Sequence, residues 1–382
     1  MKRFAFILGL LSIHATLSAQ ARNKEIVIEG SSAFQVHVKG LFGKFGNQAT
    51  ETLRSDLAAS ELVSIVSSPR GAFVASGQID GTSLSAKVLD PGGGTLLQKT
   101  YSDSSLKENA HAFARDIIGA LGGDQPASGT IAFVSTRTGR KEIYTCNADG
   151  SNVRQITRDN GLNVSPGISP DGSQIAHTGY NSGYADIYLI NTNSGARRKI
   201  IDSPGTNSGA AIAPDGSRLA LTMSFVGNPE IFVTSTRGGR AKRLTNTPGI
   251  ETSPSWSPDG SKIVYSSDSG GRPQLYTISS RGGSPRAIRT GYGYCVEPSW
   301  SPDGKKIAFC VRQGGTMRIA VHDLSSGKTS VLGSGEDPTW SPDSNYLAFT
   351  RSGTLIVRNQ QSGKESTILR HGKISEPSWS RQ

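Results

Sequence analysis

Only three cysteines occur in the 382 residues, Cys146, Cys295 and Cys310, and no C-x-x-C pair is among them. None sits with histidine at the spacing a structural zinc needs. The odd number leaves at least one thiol free; Cys295 and Cys310 flank one expected hairpin, so a bridge between them stays open. Histidine is equally scarce. Beyond residue 21 there are five, His37, His111, His177, His322 and His371, each isolated in the sequence. No G-x-S-x-G elbow is present, which argues against a propeller-gated serine peptidase. Gly92-Gly93-Gly94 is followed by no Lys-Ser/Thr and is not a phosphate loop. No catalytic constellation emerges, and no cofactor is implied. Past the N-terminus no apolar run approaches the ~18 residues of a membrane helix, so the chain is not expected to span a bilayer.

The first residues do carry a short apolar run. Met1-Lys2-Arg3 is a basic start, Phe4 to Leu17 is mostly apolar, and Ala19-Gln20-Ala21 is a small-x-small site. This pattern reads as a secretory signal over residues 1–21, cleaved after Ala21, with no cysteine there to carry a lipid. The expectation is an exported, periplasmic, soluble chain.

Glycine is abundant, 46 residues, which favours tight turns and a mainly β chain. A repeat governs its placement. Ser169-Pro170-Asp171-Gly172 recurs as Ala213-Pro214-Asp215-Gly216, Ser257-Pro258-Asp259-Gly260, Ser301-Pro302-Asp303-Gly304 and Ser341-Pro342-Asp343-Ser344. The aspartates are 44, 44, 44 and 40 residues apart. That period, with short strands on either side of the turn, is the mark of propeller blades. Each Pro-Asp-Gly is a turn whose aspartate has a structural role. The strand after the turn begins at Ile131, Ile175, Leu219, Ile263, Ile307 and Leu347. The strand before it carries Ile168, Ile212, Trp256, Trp300, Trp340 and Trp379. Both series count six, but offset: the first repeat lacks its own first strand, and Pro377-Ser378-Trp379-Ser380 is a first strand without a blade. The C-terminal strand should complete blade one and close a six-bladed ring over residues 130–382. The four tryptophans share one register and are expected to pack between blades.

Residues 22–121 lack the repeat and read as a small α/β domain. Lys24 to Ile28 is an initial strand, Ala49 to Ala59 a helix, and Phe73–Gln78, Ser83–Leu89 and Thr95–Tyr101 are strands. Ser105 and Glu108 form a capping box opening a helix that buries Leu106, Ala110, Phe113, Ile117 and Leu121. Gly122 stops it, and residues 122–129 form the linker.

The net charge is +11. The outer strands are basic through Arg154, Arg197, Arg198, Lys199, Lys242, Arg243, Arg286 and Arg289, a device against edge pairing rather than a nucleic-acid surface. Acids gather elsewhere: Glu251, Glu297, Glu336, Asp337 and Glu376 lie where the chain enters the innermost strands, which places them around one mouth of the central channel. Like charges so close call for a partner or a cation; Ca²⁺ is the one metal these carboxylates would suit.

Together these pieces resemble the TolB family, the propeller component of the Tol–Pal envelope system. The resemblance rests on the leader, the small α/β domain, the Trp-Ser-Pro-Asp-Gly blades and the Pro-Ser-Trp-Ser closure. The segments Arg272-Pro273-Gln274-Leu275-Tyr276 and Gly282-Gly283-Ser284-Pro285-Arg286 also carry it. It implies a non-enzymatic, monomeric scaffold that binds the peptidoglycan-associated lipoprotein Pal through the propeller mouth and serves outer-membrane invagination at division. Carried over by position, the Pal-facing residues are Glu251, Glu297, Asp337 and Glu376. Lys24, Glu25, Ile26, Val27, Ile28, Glu29 and Gly30 resemble the segment that meets TolA-like inner-membrane proteins, suited to strand addition. The chain departs from the pattern between Val66 and Phe73, which is compressed, after Gly30, and in its short fifth and sixth blades. Two other readings compete: an exported propeller enzyme, lactonase or peptidase-associated, and a cell-wall or sugar binder using Tyr292 and Tyr294.

Overall fold

The computed structural model describes residues 33–60, 62–102, 105–121, 127–159 and 161–380. The leader over residues 1–21 and the segment Lys24–Gly30 lie outside the described residues. The chain divides into two compact units between residues 123 and 124.

In the first unit a five-stranded sheet packs two helices over one face. Phe34–Phe42 is the strand next to one edge, parallel to both Val63–Ile65 and Phe73–Asp80. Ser83–Leu89 and Thr95–Tyr101 follow in antiparallel order. Helices Gly46–Ala58 and Leu106–Ala120 cover the face made by Val36, Val38, Ala75, Leu84, Ala86 and Val88. Ser105 caps the second helix by accepting the Glu108 N–H, as the capping box requires. The first helix starts three residues before the expected Ala49, at a glycine. Its flank is tight: a Cβ on Gly46 would sit 2.1 Å from the Leu41 carbonyl oxygen.

The second unit is a closed ring of six four-stranded antiparallel sheets. Blade one is built from both ends of its sequence, for Ile374–Trp379 pairs antiparallel with Thr130–Ser135. Ser380 fastens this closure, its Oγ accepting the Thr130 N–H at 2.9 Å while its own N–H donates to the Thr130 carbonyl. The other innermost strands are Asn163–Ile168, Asn207–Ile212, Glu251–Trp256, Cys295–Trp300 and Glu336–Trp340, in blades two to six. All four tryptophans are buried. The Trp256 and Trp340 indoles donate across blades, to the carbonyls of Ala211 and Ser299. The turns after these strands repeat one device: Ser257 Oγ donates to Asp259 and accepts the Lys262 N–H, and Ser301 and Ser341 do the same. Outer-strand cations stitch blades together: Arg154 donates to the Thr192 carbonyl, Arg198 to Thr236 and Arg237, and Lys242 to Arg281.

The three cysteines are free and buried. Cys310 lies opposite Val296, and Cys295 opposite Val311. One residue of offset sends the two side chains to opposite faces of the sheet, into different interblade cores. No bridge joins Cys295 and Cys310.

Candidate functional site: an acidic arc in the propeller channel

Each innermost strand has a bulge at its middle, where the register to the second strand shifts. The sequence explains it. Pro166, Pro254, Pro298, Pro338 and Pro377 occupy the same place in five blades, and proline has no N–H to give the ladder. The residue before it takes a left-handed backbone in all six: Glu376 φ 53°, Ser165 φ 52°, Gly209 φ 63°, Ser253 φ 56°, Glu297 φ 55° and Asp337 φ 56°. For the five that are not glycine this conformation costs about 1 kcal/mol or more each. The bulge turns these residues into the channel, a cavity of about 250 Å³ that all six line.

Three of the six are acids, on the consecutive blades five, six and one. Their carboxylates form a chain from blade to blade. Glu297 Oε2 accepts the Asp337 N–H at 3.2 Å, Asp337 Oδ2 accepts the Glu376 N–H at 2.9 Å, and Glu376 Oε2 accepts the Ser165 N–H at 2.5 Å and its hydroxyl at 3.1 Å. Asp337, in the middle, is pushed up to about 8 by burial and then by the Glu297 charge, with Glu376 and Glu336 adding to it. The arc therefore holds a proton at its centre over much of the neutral range. Among the described residues no three carboxylate, histidine or thiol groups converge as a metal ion requires.

The channel brings together only three of the five acids expected at the mouth. Glu251 sits two residues earlier in its strand and is fully buried. Its Oε1 accepts from Thr247 Oγ1 at 2.7 Å and Ser267 Oγ at 2.6 Å. It lies against Glu230, which is fully buried too and bonded to Arg243 and the Thr247 N–H. Burial and the Glu230 charge raise Glu251. Burial would raise Glu230 as well, but hydrogen bonds from Thr245, Thr247 and Arg243 hold it low. Glu251 is thus the member of this buried structural pair whose charged form is disfavoured. Asn163 plays that part towards Glu142 at the equivalent place, donating at 3.0 Å. Glu336 is exposed and outside the channel lining. Reading "acid just before the strand" merged three different registers. The repeated x-Pro-x-Trp/Ile pattern was the signal that separates them, and it also marks Ser165 and Ser253 as channel residues; Gly209 holds the same place before Ala210.

The rim is uneven. Blades five and six close their second hairpins with the tight turns Gly314-Gly315 and Ser352-Gly353. In blades two and three the corresponding loops carry the exposed aromatics Tyr184 and Phe225. The two shortest of these turns belong to the blades of Glu297 and Asp337. Tyr292 packs into an interblade core, and Tyr294 is covered by the Arg312 guanidinium 4.2 Å from its ring centre; neither offers an open face.

Ring, closure and bulged channel define the class: a six-bladed β-propeller preceded by a small α/β domain. Residues 121–382 match the family model described as the TolB beta propeller domain, and the chain belongs to that family. A TolB homolog from Chlorobaculum tepidum is 41% identical over 93 residues, 24% of this chain and 21% of that protein. The Tol-Pal system protein TolB of Geobacter metallireducens is 42% identical over 83 residues, 21% of this chain and 19% of that protein. The matched stretches thus span about a fifth of these relatives. The crystal structure of TolB from Acinetobacter baumannii superposes with a TM-score of 0.74 at 25% identity, covering 92% of this chain and 97% of that one. A chain of a nidogen/laminin complex shares the fold, with a TM-score of 0.56 at 14% identity, covering 66% of this chain and 100% of that one.

Proposed function

We propose that this protein is a non-enzymatic scaffold of the Tol–Pal envelope system, exported to the periplasm by residues 1–21. Its propeller channel docks the peptidoglycan-associated lipoprotein, and Lys24–Gly30 meets a TolA-like inner-membrane protein. In this role it supports outer-membrane integrity at division. The observation that carries the reading is the arc of Glu297, Asp337 and Glu376 on adjacent blades, in a strained backbone that lines the channel. Strain of this kind persists where a site uses it. The relatives named as Tol-Pal system proteins supply the system.

The experiment is calorimetric titration of the exported chain with the Pal-like domain from the same genome. Glu297→Gln and Glu376→Gln keep an acceptor for the neighbouring N–H but remove the charge. Each should weaken binding about tenfold, roughly 1.4 kcal/mol, and flatten its salt dependence. Unchanged affinity in the double variant would remove the arc from the interface.

A further inference from the structure

The other half of the same ring has the complementary chemistry. In blades six, one and two the N–H of the left-handed residue is taken by a carboxylate from the preceding blade. Gly209, Ser253 and Glu297 have the same backbone conformation, so their N–H groups turn the same way. The residues one blade back from them are Ser165, Gly209 and Ser253, none of which carries a carboxylate. Among the described residues no bond from a neighbouring blade reaches these three N–H groups. At Gly209 the gap is open: a Cβ there would have only Pro254 Cδ near it, at 4.0 Å. Gly209, in blade three, is the residue farthest round the ring from the acidic arc, and in blade four the Ser253 hydroxyl adds a further donor to the channel lining.

We infer that the channel of blades three and four is a carboxylate subsite, in which the N–H groups of Gly209 and Ser253, with the Ser253 hydroxyl, receive an acidic side chain of the segment that enters the mouth. The internal precedent sets the chemistry, because Glu376 makes this contact with the Ser165 N–H and hydroxyl. A backbone N–H is a strong donor that gains most from an ionised acceptor. The entering segment is therefore bipolar: a donor or cation faces blades five, six and one, and a carboxylate faces blades three and four. This orientation rests on the proposed docking at the mouth, while the subsite itself does not.

The test uses amide ¹H–¹⁵N spectra of the exported chain titrated with sodium acetate against sodium chloride. Acetate should move the Gly209 and Ser253 amides downfield, saturably, with little change at Ser165, Asp337 and Glu376, whose N–H groups are already occupied. Gly209→Glu supplies a carboxylate one blade before Ser253, as Glu376 is placed before Ser165, and should abolish the acetate response at Ser253. Gly209→Ala adds a Cβ without a carboxylate and should keep it. No acetate response in the wild type, or one spread evenly over the surface, overturns the subsite. The Pal-like domain then separates the two ideas. If it does not bind while the acetate response stands, the docking reading fails and the subsite survives. If it binds wild type and Gly209→Glu equally, the proposed use of the subsite by that partner is wrong.

Discussion

At the scale of single residues, two carboxyl groups whose charged forms are disfavoured have different roles. Asp337 titrates near 8 in the fold, whereas an unfolded aspartate titrates near ~4. The fold favours its neutral form, so the stability it contributes is complete below ~4 and is lost as pH rises through about 8. Thermal melts of the wild type should therefore fall more between pH 6 and 9 than those of Asp337→Asn, which keeps an oxygen for the Glu376 N–H. The variant should lose less stability towards the alkaline end; parallel profiles would show that Asp337 is charged throughout. Glu251 is structural. Glu251→Gln imitates the protonated acid and should cost under about 1 kcal/mol in urea unfolding. Glu251→Ala leaves Glu230, Thr247 and Ser267 short of a buried partner and should cost about 2–3 kcal/mol. Equal costs would contradict the structural role of its bonds to Thr247 and Ser267.

At the scale of elements, the ring depends on its last strand. Ile374–Trp379 supplies blade one with its innermost strand and carries Glu376, Ser378 and Trp379, which bond to blade two, blade six and Ser128. Trp379→Ala should cost about 3–5 kcal/mol, and truncation before Ile374 should abolish cooperative unfolding by exposing two strand edges. A truncated chain that melts like the full one would show that closure is dispensable. Tolerance also differs from place to place within the innermost strands. At Gly167 a Cβ would lie 2.2 Å from the Ala210 carbonyl oxygen, so blades two and three meet backbone to backbone there.

Much of this was legible in the sequence. The Pro-Asp-Gly period gave six blades, and the offset of the two series gave the closure, because turn chemistry and strand pattern are local. The first unit was less legible. The strand Phe34–Phe42 was missed although Val36, Val38 and Leu41 are buried on its helix-covered face, interrupted by a bulge near Gly40. Val63–Ile65 is too short for a period to show. At the site, the acids were visible but their registers were not. The mid-strand bulge sets Glu297, Asp337 and Glu376 into the channel, while Glu251, two residues earlier, is fully buried. Distinguishing them required aligning the strands on their tryptophans rather than on the turn that precedes them.

At the scale of the whole molecule, the propeller is polar around its axis. Blades five, six and one line the channel with carboxylates; blades two to four line it with Ser165, Gly209 and Ser253, and loops of blades two and three carry exposed aromatics. A partner entering such a channel has one preferred rotation, which a symmetric ring could not impose. Hydrogen–deuterium exchange of the exported chain with and without the Pal-like domain tests this most directly. The account predicts slowed exchange in Cys295–Trp300, Glu336–Trp340 and Ile374–Trp379, with the outer strands of the same blades unchanged. Protection confined to outer strands or to the first unit, with a folded protein and a bound partner, would contradict it.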